Sequence, residues 1–123
     1  MNASSRPSLW RRIGNSWNAR GKKPGAVDLA ADGLVFTQGR HKTQIRWDEV
    51  TQIDAGVRDT LSIDLFFVVL QTPDAKVTID EFDDGFRVLE QAIFEHWADL
   101  RGRWVALQCG PLHQPHFETL WRR

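Results

Sequence analysis

The apolar residues of this chain change period along its length, from helical spacing to strand alternation and back. Trp10, Ile13 and Trp17 recur at spacings of three and four, which places them on one face of a short helix. Ser8 stands where a cap belongs and Gly21 where a stop belongs, and Lys22-Lys23-Pro24-Gly25 reads as a linker. From Ala26 the period falls to two. Val27 to Ala30 and Leu34 to Gln38 flank Asp32-Gly33, a hairpin-turn dipeptide. Gly39 to Lys42 makes a second turn before Thr43 to Trp47, in which Ile45 and Trp47 alternate with polar neighbours. Asp48-Glu49 interrupts the pattern, Val50 to Val57 resumes it, and Arg58 to Thr60 turns the chain again. Leu61, Ile63 and Leu65 alternate into the apolar run Phe66 to Leu70, which reads as the most buried strand. Pro73-Asp74-Ala75 then leads into Lys76 to Phe82, with Val77 and Ile79 on one side.

A longer helix follows. Phe86, Leu89, Ile93, Trp97 and Leu100 form a stripe at spacings of three and four, while Arg87, Glu90, Gln91 and Glu95 lie off it. Asp83 or Asp84 is the expected N-cap, where a carboxylate also meets the positive end of the helix dipole. Gly102 is the expected stop, and His96 sits near the C-terminal end. Beyond Trp104 the tail holds Pro111 and Pro115, then Phe117, Leu120 and Trp121 on the shared face of a last helical turn. That tail is apolar enough to pack back on the body. The pattern predicts an α+β, mainly β fold: an antiparallel barrel or roll of about seven strands, one C-terminal amphipathic helix, and a short basic helix at the N-terminus. Three parts follow: a basic, Trp-containing segment (1–24), the strands with their closing helix (25–103), and the tail (104–123).

Several stretches carry a resemblance. Asp32-Gly33-Leu34 lies in the first hairpin, and Ile45-Arg46-Trp47-Asp48-Glu49-Val50 lies between strands. Arg58-Asp59 precedes a hydrophobic strand, Asp80 to Phe86 leads into the helix, and Phe117-Glu118-Thr119-Leu120-Trp121-Arg122 closes the chain. Together, over residues 26 to 122, these look like small bacterial proteins with a pleckstrin-homology-like barrel. The resemblance implies a binding module rather than a catalyst. Some small solitary bacterial proteins neutralise cognate secreted toxins, and this chain is similar to those in size and solubility. The segment before Gly25 falls outside the resemblance.

Composition changes the picture in two ways. The 123 residues hold 16 Lys+Arg and 16 Asp+Glu, yet the charge is divided unevenly. Residues 1–24 carry six cations and no acid, whereas residues 25–103 carry eight basic and fifteen acidic side chains. Bulk electrostatic binding of nucleic acid is thereby excluded for the body, though not for the leading segment. Cys109 is the sole cysteine, which excludes an internal disulfide and a four-cysteine zinc site. With no run of roughly 20 apolar residues and no signal-peptide pattern, the expectation is a cytoplasmic protein without membrane insertion.

The candidate chemistry is sparse. No nucleotide-binding or hydrolase motif occurs, and no cofactor is implied. Cys109, His113 and His116 have a spacing that zinc would accept, which makes a small metal-binding enzyme one rival reading; a Pro-rich tail with an idle thiol is the simpler one. Asp80, Glu81, Asp83 and Asp84 imitate a calcium loop, but Phe82 stands at a ligand position and no Glu falls at position twelve. Arg40, His41 and Lys42, with Arg46 on the next strand, offer an anion or an acidic partner a contact. Trp10, Arg11, Arg12 and Trp17 suit the chain's own acidic body, a partner, or a membrane or nucleic-acid surface, the second rival. The leading expectation is non-catalytic binding of another protein. The partner would be a secreted effector, occluded by its immunity or accessory protein through Arg58, Asp59, Asp64, Asp74 and Glu81, in turns or on outward strand faces.

Overall fold

The computed structural model describes residues 24–59, 64–110 and 116–123. The expected N-terminal helix with Trp10, Arg11, Arg12 and Trp17, the alternation at Leu61 and Ile63, and His113 lie outside these residues. Within them, period-two alternation becomes two antiparallel sheets. Strands β1 (Ala26–Ala30), β2 (Gly33–Gln38) and β3 (His41–Arg46) form a three-stranded meander. Its register is set by two tight turns, which pair Ala30 with Gly33 and Gln38 with His41. That register places Val27 beside Phe36 and Leu34 beside Ile45, on the face that enters the core.

Strands β4 (Gln52–Asp59), β5 (Asp64–Gln71), β6 (Lys76–Asp80) and β7 (His116–Arg122) make the second sheet, in the order β6-β5-β4-β7. Ile53 and Ala55 of β4, Phe66, Val68 and Leu70 of β5, and Val77 and Ile79 of β6 alternate onto one face and join the same core. A 3-10 turn at Trp47–Glu49 connects the sheets, and the Trp47 amide donates to the Asp32 carbonyl at 2.9 Å. Among the described residues no strand of one sheet pairs with a strand of the other. The fold is therefore mainly β, α+β as expected, but it is not a closed barrel.

The helices depart from the expected single span. Helix α1 runs Phe86–His96 and stops because Trp97 leaves helical geometry, at φ −136° and ψ 69°. A 3-10 turn at Ala98–Leu100 follows, and helix α2 spans Arg101–Gln108, so the expected stop Gly102 is instead the second residue of a new helix. A glycine within a helix costs at most about 1 kcal/mol relative to alanine, and α2 offsets it by burying Trp104 and Leu107 in the core. The expected cap is also absent. Gly85 is the N-cap, with φ 85°, and no side chain caps the helix. A Cβ on Gly85 would fall 2.7 Å from the Val27 carbonyl oxygen, so this position needs glycine twice over.

The tail is a strand, not a helical turn. β7 pairs antiparallel with β4, with a register shift that leaves Leu120 without an opposite residue. This bulge lets the consecutive Leu120 and Trp121 both meet the core, which strict alternation would forbid. The open edge of β4 offers a complete ladder, and a last turn of helix would have left it unpaired. Arg103 of α2 fastens the strand, donating to the carbonyls of Leu120 (3.0 Å) and Thr119 (2.9 Å) and to the Glu118 carboxylate (2.8 Å).

Asp83 explains why neither it nor Asp84 caps α1. Its Oδ1 accepts from the Gly25 amide at 2.6 Å and its Oδ2 from the Asp80 amide at 2.9 Å. Beside it, the Asp84 amide donates to the Gly25 carbonyl and the Val27 amide to the Asp84 carbonyl. One buried carboxylate thus joins the start of the three-stranded sheet to the end of the four-stranded one. Asp83→Ala leaves two buried amides without acceptors, so urea denaturation is expected to show a loss of about 3 kcal/mol. Asp74→Ala, in an exposed turn, should change stability by no more than about 0.5 kcal/mol.

Candidate functional site

Where β4 ends and β5 begins, beside the first turn of α1 and the last residue of α2, Val57, Asp64, Phe66, Glu81, Arg87 and Gln108 line a cleft of about 220 Å³. Glu81 is held there by backbone geometry. Its amide donates to the Phe66 carbonyl, and the Phe66 amide donates to Glu81 Oε1, both at 3.1 Å. The side chain thereby extends the β5–β6 ladder beyond the last residue of β6. Asp64 opens β5 and alternates with Phe66 toward the same side. Arg87 rises from the first turn of α1 and sits 3.8 Å from Glu81 and 3.0 Å from Glu90.

Glu90 anchors the wall behind the cleft. It is 8% exposed. Its Oε2 accepts from Trp104 Nε1 at 2.7 Å and Gln108 Nε2 at 2.8 Å, while its Oε1 accepts from Arg87. Trp104 is fully buried, with ring contacts to Phe66 (5.3 Å), Phe86 (6.4 Å) and Phe94 (5.2 Å). Both Glu90 oxygens are engaged by three donors, so this carboxylate positions α2 against α1. Asp64 and Glu81 line the cleft with Arg87 over an apolar floor of Val57 and Phe66, and Glu81 is itself bound to the Phe66 amide and lies 3.8 Å from Arg87.

The residues singled out by sequence separate into groups. Asp64 and Glu81 come together in the cleft. Arg58 lies at the same end of the sheet, exposed, with its guanidinium 5.3 Å from the centre of the Phe67 ring. Asp59 ends β4 opposite Asp64. Asp74 lies at the other end of the sheet, in the β5–β6 turn, where its amide donates to Thr72 Oγ1. Arg40, His41 and Lys42 share the exposed β2–β3 turn. Arg46 is at the far end of β3, hydrogen-bonded to the Asp48 carboxylate, which raises its pKa above the ordinary arginine value.

The calcium-like acidic cluster is a set of backbone clasps. Asp83 takes the amides of Gly25 and Asp80, and Asp80 Oδ1 takes the amide of Phe82 at 2.8 Å. Cys109 is exposed just beyond α2. His116 starts β7 and places Nε2 3.0 Å from Glu118 Oε2. Hydrogen bonds from His116 and then Arg103 hold the Glu118 carboxyl below its ordinary pKa. Among the described residues, no three His, Cys, Asp or Glu side chains are grouped to hold a metal ion. Among them, too, no helix is long and apolar enough to cross a membrane.

Sequence reading missed Glu90, which sits off the apolar stripe and so looked solvent-facing. The signal was present in α2: Trp104 and Gln108, four residues apart, put two side-chain N–H donors on one face. Glu90→Ala strands the buried Trp104 indole N–H, with an expected destabilisation of about 2 kcal/mol. Glu90→Gln keeps one acceptor oxygen and should lose about half as much, measured by urea denaturation with the same m-value. No family model matches the chain, and no curated protein or solved structure is similar to it.

Proposed function

We propose that the chain is a non-catalytic module that binds a basic surface of another protein through the cleft between β5 and α1. The observation that carries this reading is the convergence of Asp64 and Glu81 on one apolar-floored opening, in a body with fifteen acidic and eight basic residues over 25–103. At about 220 Å³ the cleft is smaller than the roughly 300–1,000 Å³ of small-molecule sites. Its dimensions suit one long side chain of a partner. A lysine or arginine stem would lie along Val57 and Phe66 while its charge meets the two carboxylates. Arg87, half-exposed and tied to Glu90 and Glu81, stands at the side of the cleft where α1 begins.

Within this reading, the finer proposal is an immunity or accessory protein that occludes a secreted bacterial effector. An acidic binder of this kind acquires speed from its charge, because long-range attraction steers a basic partner into the docking orientation. The test is association of the purified chain with the product of the adjacent open reading frame, followed by stopped-flow or surface kinetics. A complex is expected whose association rate falls at least about tenfold between low and physiological salt. Asp64→Lys should weaken it by at least about tenfold, without loss of the folded state. A complex insensitive to both salt and Asp64→Lys would contradict the reading, as would turnover of a substrate at this cleft.

A further inference from the structure

Strand β5 holds six consecutive apolar residues, Leu65 to Leu70. A continuous run of this kind marks a strand buried on both faces, whereas a sheet with one wet face alternates. Phe66, Val68 and Leu70 account for one face: they enter the core with both helices and the three-stranded sheet. Leu65, Phe67 and Val69 point to the opposite face, outside that core. Even so, Leu65 is 1% exposed and Val69 5%.

Burial on this outer face is graded. On β6 Asp80 is buried, and on β4 Asp54 is buried between the side-chain amides of Gln52 and Gln71. On β7, at the far edge, Phe117 is 56% exposed. A small residue makes room for rings on this face. Gly56 of β4 lies between Phe67 and Phe117, whose rings stack across it with centroids 6.1 Å apart. A Cβ on Gly56 would fall 2.9 Å from the Phe67 ring.

We infer that residues 1–23 cover this face, laying Trp10, Ile13 and Trp17 across β6, β5 and β4. Position is the first reason. Gly25 is fixed by Asp83 and Asp84 beside the last residue of β6, the edge strand. The chain therefore enters at the row in which Asp80 pairs with Phe67, Phe67 with Gly56, and Gly56 with Phe117. Length is the second. At the helical rise of ~1.5 Å per residue the stripe from Trp10 to Trp17 measures about 10 Å, which matches the roughly 10 Å from β6 to β4 at ~4.8 Å per strand.

Chemistry is the third. The segment's apolar stripe meets Leu65, Phe67 and Val69, and its six cations, with no acid, meet a face whose carboxylates are Asp54 and Asp80. The like charges there, Arg58, Lys76 and Arg122, are exposed at the margins, with Arg122 on β7 donating to Gln52 Oε1. Graded burial follows from an occupant that enters over β6 and ends short of β7.

The test uses the full chain with Cys109→Ser and Asn15→Cys, a position opposite the Trp10–Trp17 stripe, carrying a nitroxide. In the ¹⁵N-labelled protein, the strongest loss of amide signal is expected at residues 65–69 and 78–80, ahead of α2. Mixing nitroxide-bearing unlabelled chain with nitroxide-free ¹⁵N chain should restore those signals. Ala19→Cys provides a second label site, and Trp10→Ala/Trp17→Ala should shift the same amides without unfolding the core. Loss that persists undiminished in the mixed sample would assign the face to a second copy and overturn the proposal. Loss centred on the helices, or absent from the sheet at both label sites, would overturn the proposal.

Discussion

The whole arrangement depends on one buried carboxylate. The two sheets share no strand pair among the described residues, and they are joined at their meeting point by Asp83, which takes one amide from each side. An ionised acceptor of backbone N–H groups makes roughly twice as strong a bond as a neutral one. Here it replaces ladder bonds that the geometry denies. The parallel bridge between Ala26 and Asp84 and the glycine at 85 follow from the same approach, because β1 passes so close that no side chain fits between. The clasp also decides where the leading segment departs, at the edge strand of the larger sheet.

Two aromatic clusters then set the helices. Trp104 sits among Phe66, Phe86 and Phe94 and is held by Glu90. Trp47 contacts His96 at 5.0 Å and Trp97 at 6.0 Å, and Trp97 contacts Trp121 at 5.4 Å. The second cluster gathers the link between sheets, the break between helices and the last strand into one contact. The kink at Trp97 turns α2 back over the sheet, and this brings Gln108 to the cleft and Arg103 to β7. The cleft is thus a by-product of how the helices are anchored, and its carboxylates come from the strand ends that those anchors leave open.

Much of this was legible in the sequence, for identifiable reasons. Strands β1 to β6 were marked by alternation and by turn residues such as Asp32-Gly33 and Pro73-Asp74, both local signals. Asp64 and Glu81 were singled out, but their meeting depends on the Phe66–Glu81 register, which is not local. The failures share one cause. Gly102, Glu90 and the 116–122 tail were read by local propensity, and tertiary packing outweighed it: burial of Trp104 holds a second helix whose first turn contains the glycine, two distant donors bury a glutamate, and an unpaired edge recruits the tail as a strand. Asp83 was read as a helix cap, but its partners lie 58 residues back and three residues back in the chain. The barrel suggested by the resemblance failed on the same ground, since sheet closure is set by pairing rather than by strand count.

The large sheet therefore has two unlike faces: an acidic cleft on its core side and an apolar stretch on its back. Both presuppose that the Asp83 clasp belongs to the global fold and not to a frayed end. Native-state hydrogen exchange at the Gly25 and Asp80 amides tests this most directly. The account predicts that both exchange only with global unfolding, at the same opening free energy and denaturant dependence as the Val68 and Leu70 amides. Exchange of Gly25 and Asp80 through a local opening, while Val68 and Leu70 stay protected, would contradict it.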